Sequence, residues 1–229
     1  MIVYGKQVLN YLLERHPGII KRVMLAKEID KKLFSAITKK GISVQRVDEK
    51  KAQALSRGNN HQGLLAELEE FTPTPLENLK RYNRLIILCG ITDMGNIGAI
   101  IRSAYALGMD GMIITGLNQI NWQGAVKSSS GAIFDLPVMV VKNVFDLHND
   151  LTTAGFKTLG ATLEGGDVPS NIHQEKAALF LGSEGEGLPS RLIKKLDHQV
   201  TIRMQHDFDS LNVGSAAAIL IDRITHERI

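Results

Sequence analysis

The sequence predicts an α/β protein in two parts, a small mixed unit in front of a larger parallel sheet covered by helices. Three observations carry that reading. Short apolar runs alternate with helix-period segments, the pattern of strands joined by crossover helices. The stretch Thr72-Pro73-Thr74-Pro75 interrupts the alternation, because prolines at alternate positions remove backbone donors and disfavour helix on either side. Turns rich in Gly and Asn follow strands of the rear part, where parallel sheets bind ligands. The chain of 229 residues allows one or two domains.

In the front part, Lys6 to Glu14 has helical spacing and Arg22 to Ala26 is a short apolar strand. Lys31 to Lys40 is helical and stops at Gly41, a glycine in the usual stop position. Ser43 to Val47 reads as a strand, Glu49 to Ser56 as a short helix and Leu64 to Leu68 as a strand. Residues 72–82 read as a linker between a domain of residues 1–71 and one of residues 83–229. Behind the linker, Arg84 to Cys89 is a buried strand, Ile97 to Leu107 a helix closed by Gly108, and Gly111 to Thr115 a second strand. Leu136 to Val141 is a third strand and Val144 to Ala154 a helix. Thr158 to Thr162, Ala178 to Leu181 and Gln199 to Met204 are further strands. Pro189 to Leu196 is a helix with proline near its first turn, and Asn212 to Glu227 is a long final helix.

Composition narrows the class. Apolar residues make up 44% and charged residues 22%, which excludes disorder, collagen and a disulfide scaffold. One cysteine cannot form an internal disulfide, and the first residues, MIVYGKQVLNYLLERHPG, lack a signal-peptide core. No apolar run approaches the ~20 residues of a membrane helix, so the expected location is the cytoplasm. The charge is uneven. Residues 1–71 carry 13 Lys/Arg against 8 Asp/Glu, whereas residues 72–229 carry 14 against 16. A basic front on a near-neutral body suits a polyanion-binding module, although a solvated basic surface gives the same balance.

Three stretches lie where the sheet would bind a ligand. The first, Gly90 to Gly98, leads into a helix that presents Arg102; Asn96, at the expected helix start, fits an N-cap, and an Arg there favours a phosphate or carboxylate. The second is Leu181-Gly-Ser-Glu-Gly-Glu-Gly-Leu188, whose glycines allow a backbone close to a ligand. It lacks the third glycine of a dinucleotide fingerprint and the Gly-Lys-Ser/Thr of a P-loop. Glu184 and Glu186 make it hostile to phosphate and suit a cation or a ligand rich in donors. The third, Met204 to Ser215, contains Ser210, Leu211 and Asn212 ahead of a helix of small residues; Ser210 fits a helix cap. No G-x-S-x-G elbow is present, Cys89 sits mid-strand as a core residue, and the seven histidines show no metal-ligand spacing.

Taken together, the three stretches resemble, in order and spacing, the signature motifs of the SpoU/TrmH class of SPOUT RNA methyltransferases. The resemblance rests on Asp93-Met-Gly-Asn96-Ile-Gly98-Ala-Ile-Ile-Arg102, on Leu181-Gly-Ser-Glu-Gly-Glu-Gly187, and on Ile202-Arg-Met with Ser210-Leu-Asn-Val213, spanning roughly residues 84–227. Val3-Tyr4-Gly5 and Asn60-His61-Gln62-Gly63 look like the L30e-like RNA-binding domain that precedes this catalytic domain. The whole chain is similar to the bacterial enzymes that methylate a guanosine 2′-hydroxyl of 23S rRNA. Met94 stands where the family usually has Pro, Gly214 where Ser or Ala is common, and Arg203 for a frequent Pro.

The resemblance implies a C-terminal trefoil knot, a homodimer, and S-adenosylmethionine held at the dimer interface. It implies that Gly182, Ile202 and Leu211 contact the cofactor, largely through backbone groups. Arg102 and Ser210 would grip the phosphate beside the target ribose, while Asn96, Glu184 and Asn212 would fix Arg102 and the surrounding loops. Neither metal, DNA nor membrane is implied. Other readings are a tRNA ribose methyltransferase of the same class, an antibiotic-resistance rRNA methyltransferase, and a non-catalytic RNA-binding assembly factor. A nicotinamide dehydrogenase is disfavoured by the missing fingerprint glycine.

Overall fold

Six residues after Met1, the chain has already paired a strand and begun a helix. The computed structural model describes residues 1–206 and 209–226. Its contacts divide the chain into two units, residues 1–72 with 121–134, and residues 73–120 with the remainder from 135. The front sheet is built from β1 (Ile2–Tyr4), β2 (Ile20–Leu25), β3 (Ser43–Arg46) and β4 (Leu64–Leu68), with α1 (Lys6–Arg15), α2 (Lys31–Lys39) and α3 (Glu49–Leu55) between them. The spatial order is β1-β4-β2-β3, with β4 antiparallel to β1 and β2, and β3 parallel to β2. The helices start on side-chain caps: Asp30 accepts from Leu33 N at 2.8 Å and Asp48 from Lys51 N at 2.6 Å. Gly41 ends α2 in the left-handed region, with its own N–H on Thr38 O and Ile42 N on Ile37 O, so the expected glycine stop is a paired helix terminus.

The rear unit begins with a short helix, α4 (Leu76–Leu79), inside the segment expected to be a plain linker. Leu79 is fully buried there, so that segment is anchored by packing as well as joined by chain. Then follow β5 (Arg84–Cys89), α5 (Met94–Ala106) and β6 (Gly111–Thr115). The excursion carrying α6 (Trp122–Ser128) comes next, then β7 (Val138–Val141), α7 (Val144–Thr153) and β8 (Lys157–Gly166). The described chain closes with β9 (Ala177–Gly182), α8 (Ser190–Ile193), β10 (His198–Val200) and α9 (Val213–Thr225). The six strands pair in parallel in the order β10-β8-β9-β5-β6-β7. Their residues are apolar without alternation, as burial on both faces requires: Leu85 to Leu88, Met112 to Ile114 and Ala178 to Leu181 are all 0–1% exposed. On one face, Leu147, Leu151 and Leu192 of α7 and α8 pack with Leu85, Ile87 and Phe180. α5 and α9 pack along each other, burying Ile97, Ile100 and Ile101 and, on α9, Ala217, Leu220 and Ile221.

Several elements differ from expectation. β1 and α6 were not legible: three residues are too few to show a period, and α6 mixes Trp, Gln, Gly and Lys without an amphipathic stripe. β10 covers only His198–Val200, because its partner β8 bends between the positions that Gln199 and Val200 face, breaking the register. α9 ends at Thr225; the expected end at Glu227 lies outside the described residues.

Candidate active site

Strand order reverses at β5 in the parallel sheet, with β6 on one side and β9 on the other. Cys89, the last residue of β5, pairs in register with Gly182, the last residue of β9. Such a switch point leaves a crevice outside the carboxyl ends of the two strands. The loops carrying the first two motif stretches leave the sheet at this place.

After β5, Asp93 caps α5 by accepting from Asn96 N at 2.7 Å. The helix therefore starts at Met94, three residues before the expected Ile97, and Asn96 is not its cap. An acidic cap two residues before Gly95 overrides the break that glycine suggests. Met94 occupies the first helical position, where proline is favoured for its preset backbone angle. The Asn96 side chain is thus left for another task. Ser210 is likewise not a cap; Asn212 caps α9, its Oδ1 accepting from Gly214 N at 2.9 Å. Gly214 is buried, and a Cβ there would stand 3.4 Å from the Cβ of Ala99 on α5. The residue where Ser or Ala was expected thus marks the approach of the two helices.

These two capped helices and the loop after β9 meet at one carboxylate. Glu184 Oε1 accepts from Asn212 Nδ2 at 2.8 Å, from Val213 N at 3.2 Å and from Asn96 Nδ2 at 3.3 Å. The second hydrogen of Asn212 Nδ2 goes to Asn96 Oδ1 at 2.9 Å. Three segments separated by 88 and 28 residues are thereby joined by side chains. The negative charge sits at the amino ends of α5 and α9, where helix dipoles favour it. The donors expected of a ligand for Glu184 come from the protein itself. Glu186 is exposed beside it.

The loop that presents Glu184 folds back on its strand. Ser183 and Gly187 form an isolated bridge, with Gly187 N donating to Ser183 O at 2.9 Å and Gly187 at φ 65°. A Cβ on Gly182 would lie 2.1 Å from the Gly187 carbonyl carbon, so this strand end admits only glycine. Arg102 is exposed on α5, off the apolar face, and makes no hydrogen bond or ion pair to another described residue. Ser210 is exposed, while Ile202 and Leu211 are half-buried. The structure bonds Asn96, Glu184 and Asn212 together; it does not bond Arg102 or Ser210 to them.

Thr162 was not singled out from the sequence. Its hydroxyl is buried without a hydrogen-bond partner, two residues along β8 from Gly160, which faces Phe180 of β9. Cys89 is 5% exposed, and burial pushes its thiol up to about 12, so it is no nucleophile. Among the described residues no group of three His, Cys, Asp or Glu is placed to hold a metal, and no helix is long and apolar enough to cross a membrane.

Residues 83–222 match the SpoU rRNA Methylase family, and residues 2–74 match the RNA 2′-O ribose methyltransferase substrate-binding family. Over 96% of its length the chain is 28% identical to the 23S rRNA (guanosine(2553)-2′-O)-methyltransferase RlmP of Bacillus subtilis, covering 86% of that protein. It is 27% identical, over the full chain and 96% of the relative, to a Staphylococcus aureus protein named as a TrmH family tRNA/rRNA methyltransferase. The fold is shared with the SpoU methyltransferase AviRb of Streptomyces viridochromogenes, whose structure was solved in complex with AdoMet. The TM-score is 0.77 at 23% identity, covering 98% of this chain and 89% of that one.

Proposed function

Because the chain belongs to the SpoU rRNA Methylase family, we propose that it transfers the methyl group of S-adenosylmethionine to a ribose 2′-hydroxyl of RNA, a guanosine of 23S rRNA. The observation that carries this reading is the junction of Asn96, Glu184 and Asn212. It brings three motif stretches to the one crevice that the sheet topology opens.

The rear unit carries residues whose chemistry fits the cofactor. The orphaned Thr162 hydroxyl offers a polar contact and Ile202 and Leu211 offer partly buried apolar surface, while Gly182 lets the loop after β9 fold tightly against the strand end. When bound, the cofactor supplies an electrophilic methyl group. The chain must then align a weakly nucleophilic hydroxyl with it and take up the proton. Arg102 and Ser210 hold the phosphate beside the target ribose. A guanidinium is hardly ever deprotonated in proteins, so Arg102 acts in this reading as a charged clamp and not as the base. The Glu184 junction keeps α5, and with it Arg102, at a fixed place relative to the loop after β9. The trefoil knot, the pairing of two copies across the cofactor pocket, and the division into an RNA-binding front domain and a catalytic domain belong to the same reading.

The test has two arms. Comparing rRNA and tRNA by mass spectrometry from cells with and without the protein should reveal one lost ribose methyl, in 23S rRNA. Loss from tRNA instead would move the substrate to the other named class of relatives. Arg102→Ala should abolish methyl transfer while calorimetry still detects cofactor binding. Full turnover by that variant would remove Arg102 from the mechanism.

A further inference from the structure

The front unit has a surplus of five positive charges over residues 1–71, and part of it is gathered on one helix. Several of its basic residues are neutralised: Lys6 pairs with Asp30 at 3.1 Å, Arg46 with Glu28 at 2.7 Å, and Arg22 with Glu67. α2 and Lys40, which follows its last turn, differ. Behind the Asp30 cap, Lys31 to Lys40 carries Lys31, Lys32, Lys39 and Lys40 and no acid, and none of the four is ion-paired among the described residues. Lys32, Ala36 and Lys40 recur at four-residue intervals and so lie on one flank of the helix, about 12 Å from end to end.

That flank borders an open cleft of about 530 Å³ between α1 and α2. Leu13 and Leu33, each under 8% exposed, form its apolar floor, and Asn10 stands on the α1 wall. The acids that line it are Glu14 and Asp30, and Asp30 is occupied twice, by Lys6 and by the N–H of Leu33. An apolar floor for a base or sugar edge, an amide on one wall and unpaired ammonium groups on the other match an unpaired RNA segment. We propose that the α1–α2 cleft of the front unit binds the sugar–phosphate backbone of single-stranded RNA, with Lys32 and Lys40 on the phosphates. This rests on the reading of the protein as an RNA methyltransferase and adds to it which surface of the front unit engages the substrate.

The test compares two full-length variants that change net charge equally. Lys32→Glu/Lys40→Glu alters the cleft, whereas Lys50→Glu/Lys51→Glu alters exposed lysines of α3. Each is titrated by filter binding with an unmodified 23S rRNA transcript and with poly(U), between about 50 and 200 mM salt. The cleft variant should bind at least about tenfold more weakly, with a salt slope shallower by about 1.4, the value for two lost single-strand phosphate contacts. The α3 variant should stay within about twofold of the parent. Equal losses in the two variants, or a larger loss in the α3 variant, would overturn the cleft as the binding surface. Cofactor binding by calorimetry is followed in all three proteins. Its absence from the parent would sink the methyltransferase reading without bearing on the difference between the variants.

Discussion

Glu184 gathers three donors on one oxygen, and its substitutions separate geometry from charge. Glu184→Gln keeps an acceptor oxygen but loses the charge that faces two helix amino ends. Glu184→Ala leaves the amides of Asn96 and Asn212 without their common anchor. Methyl transfer should fall about tenfold in the first and about a hundredfold in the second, the scale of a misplaced catalytic geometry. Single-turnover rates measure this, and near-parental rates for Glu184→Ala would show that the junction has no part in turnover. Gly182 and Gly185 sit three residues apart with opposite expectations. Gly182→Ala drives a Cβ into the Gly187 backbone and should cost about 1–3 kcal/mol, read from urea denaturation. Gly185→Ala meets nothing within 4 Å and should be close to neutral. At this scale the sequence named Asn96, Glu184 and Asn212, but it left a helix cap open as the role of Asn96 and of Ser210, and neither is one. Caps are set by where a helix begins, and Asp93 and Asn212 move both starts.

Among the elements, β8 and the turn before β10 are fastened by one reciprocal contact. The Thr158 N–H and hydroxyl both donate to Asp197 Oδ2, at 2.8 and 2.7 Å, and Asp197 N donates back to the Thr158 hydroxyl at 3.1 Å. Burial alone would raise the Asp197 carboxyl, but the two Thr158 bonds, together with the nearby charges of Lys157 and His198, outweigh it and hold it below the ordinary carboxylate range. A carboxyl lowered in the folded state contributes stability above its unfolded value near 4, and that contribution is lost as pH falls through the folded value. Asp197→Asn should therefore lower Tm at pH 7 by about 2–4 °C, the equivalent of ~1 kcal/mol for a chain of this size. The deficit should shrink as pH drops below about 4. Calorimetric scans from pH 7 to acid check this, and a pH-independent deficit would assign the effect to packing. Strand positions were readable because continuous apolar runs leave no other placement. The bend in β8 was not, since Gly165 approaches the Val200 backbone only once the strands are paired.

Across the whole molecule, the division into units does not follow the proline break alone. Residues 121–134, an excursion between β6 and β7, belong by contacts with the front unit. Within that unit, Trp122 stacks on Phe71 with ring centroids 4.4 Å apart, Lys127 Nζ lies 4.5 Å above the Tyr4 ring, and Gly131 abuts Tyr11. Trp122 is the sole tryptophan, so it reports this packing directly. Phe71→Ala should red-shift its emission and lower the front unit's unfolding midpoint. A fragment of residues 73–229 should show the same red shift and aggregate, because it uncovers α6. Unchanged emission in Phe71→Ala would deny the stack. The sequence by itself determined the α/β class, most of the strands and the three motif stretches, since periodicity and glycine placement are local properties. Only the tertiary structure decided that Asn96, Glu184 and Asn212 share one junction, that α6 packs with the front unit, and that α2 keeps its lysines unpaired. Hydrogen bonds and ion pairs between residues far apart in the chain depend on pairing and packing that no local pattern encodes.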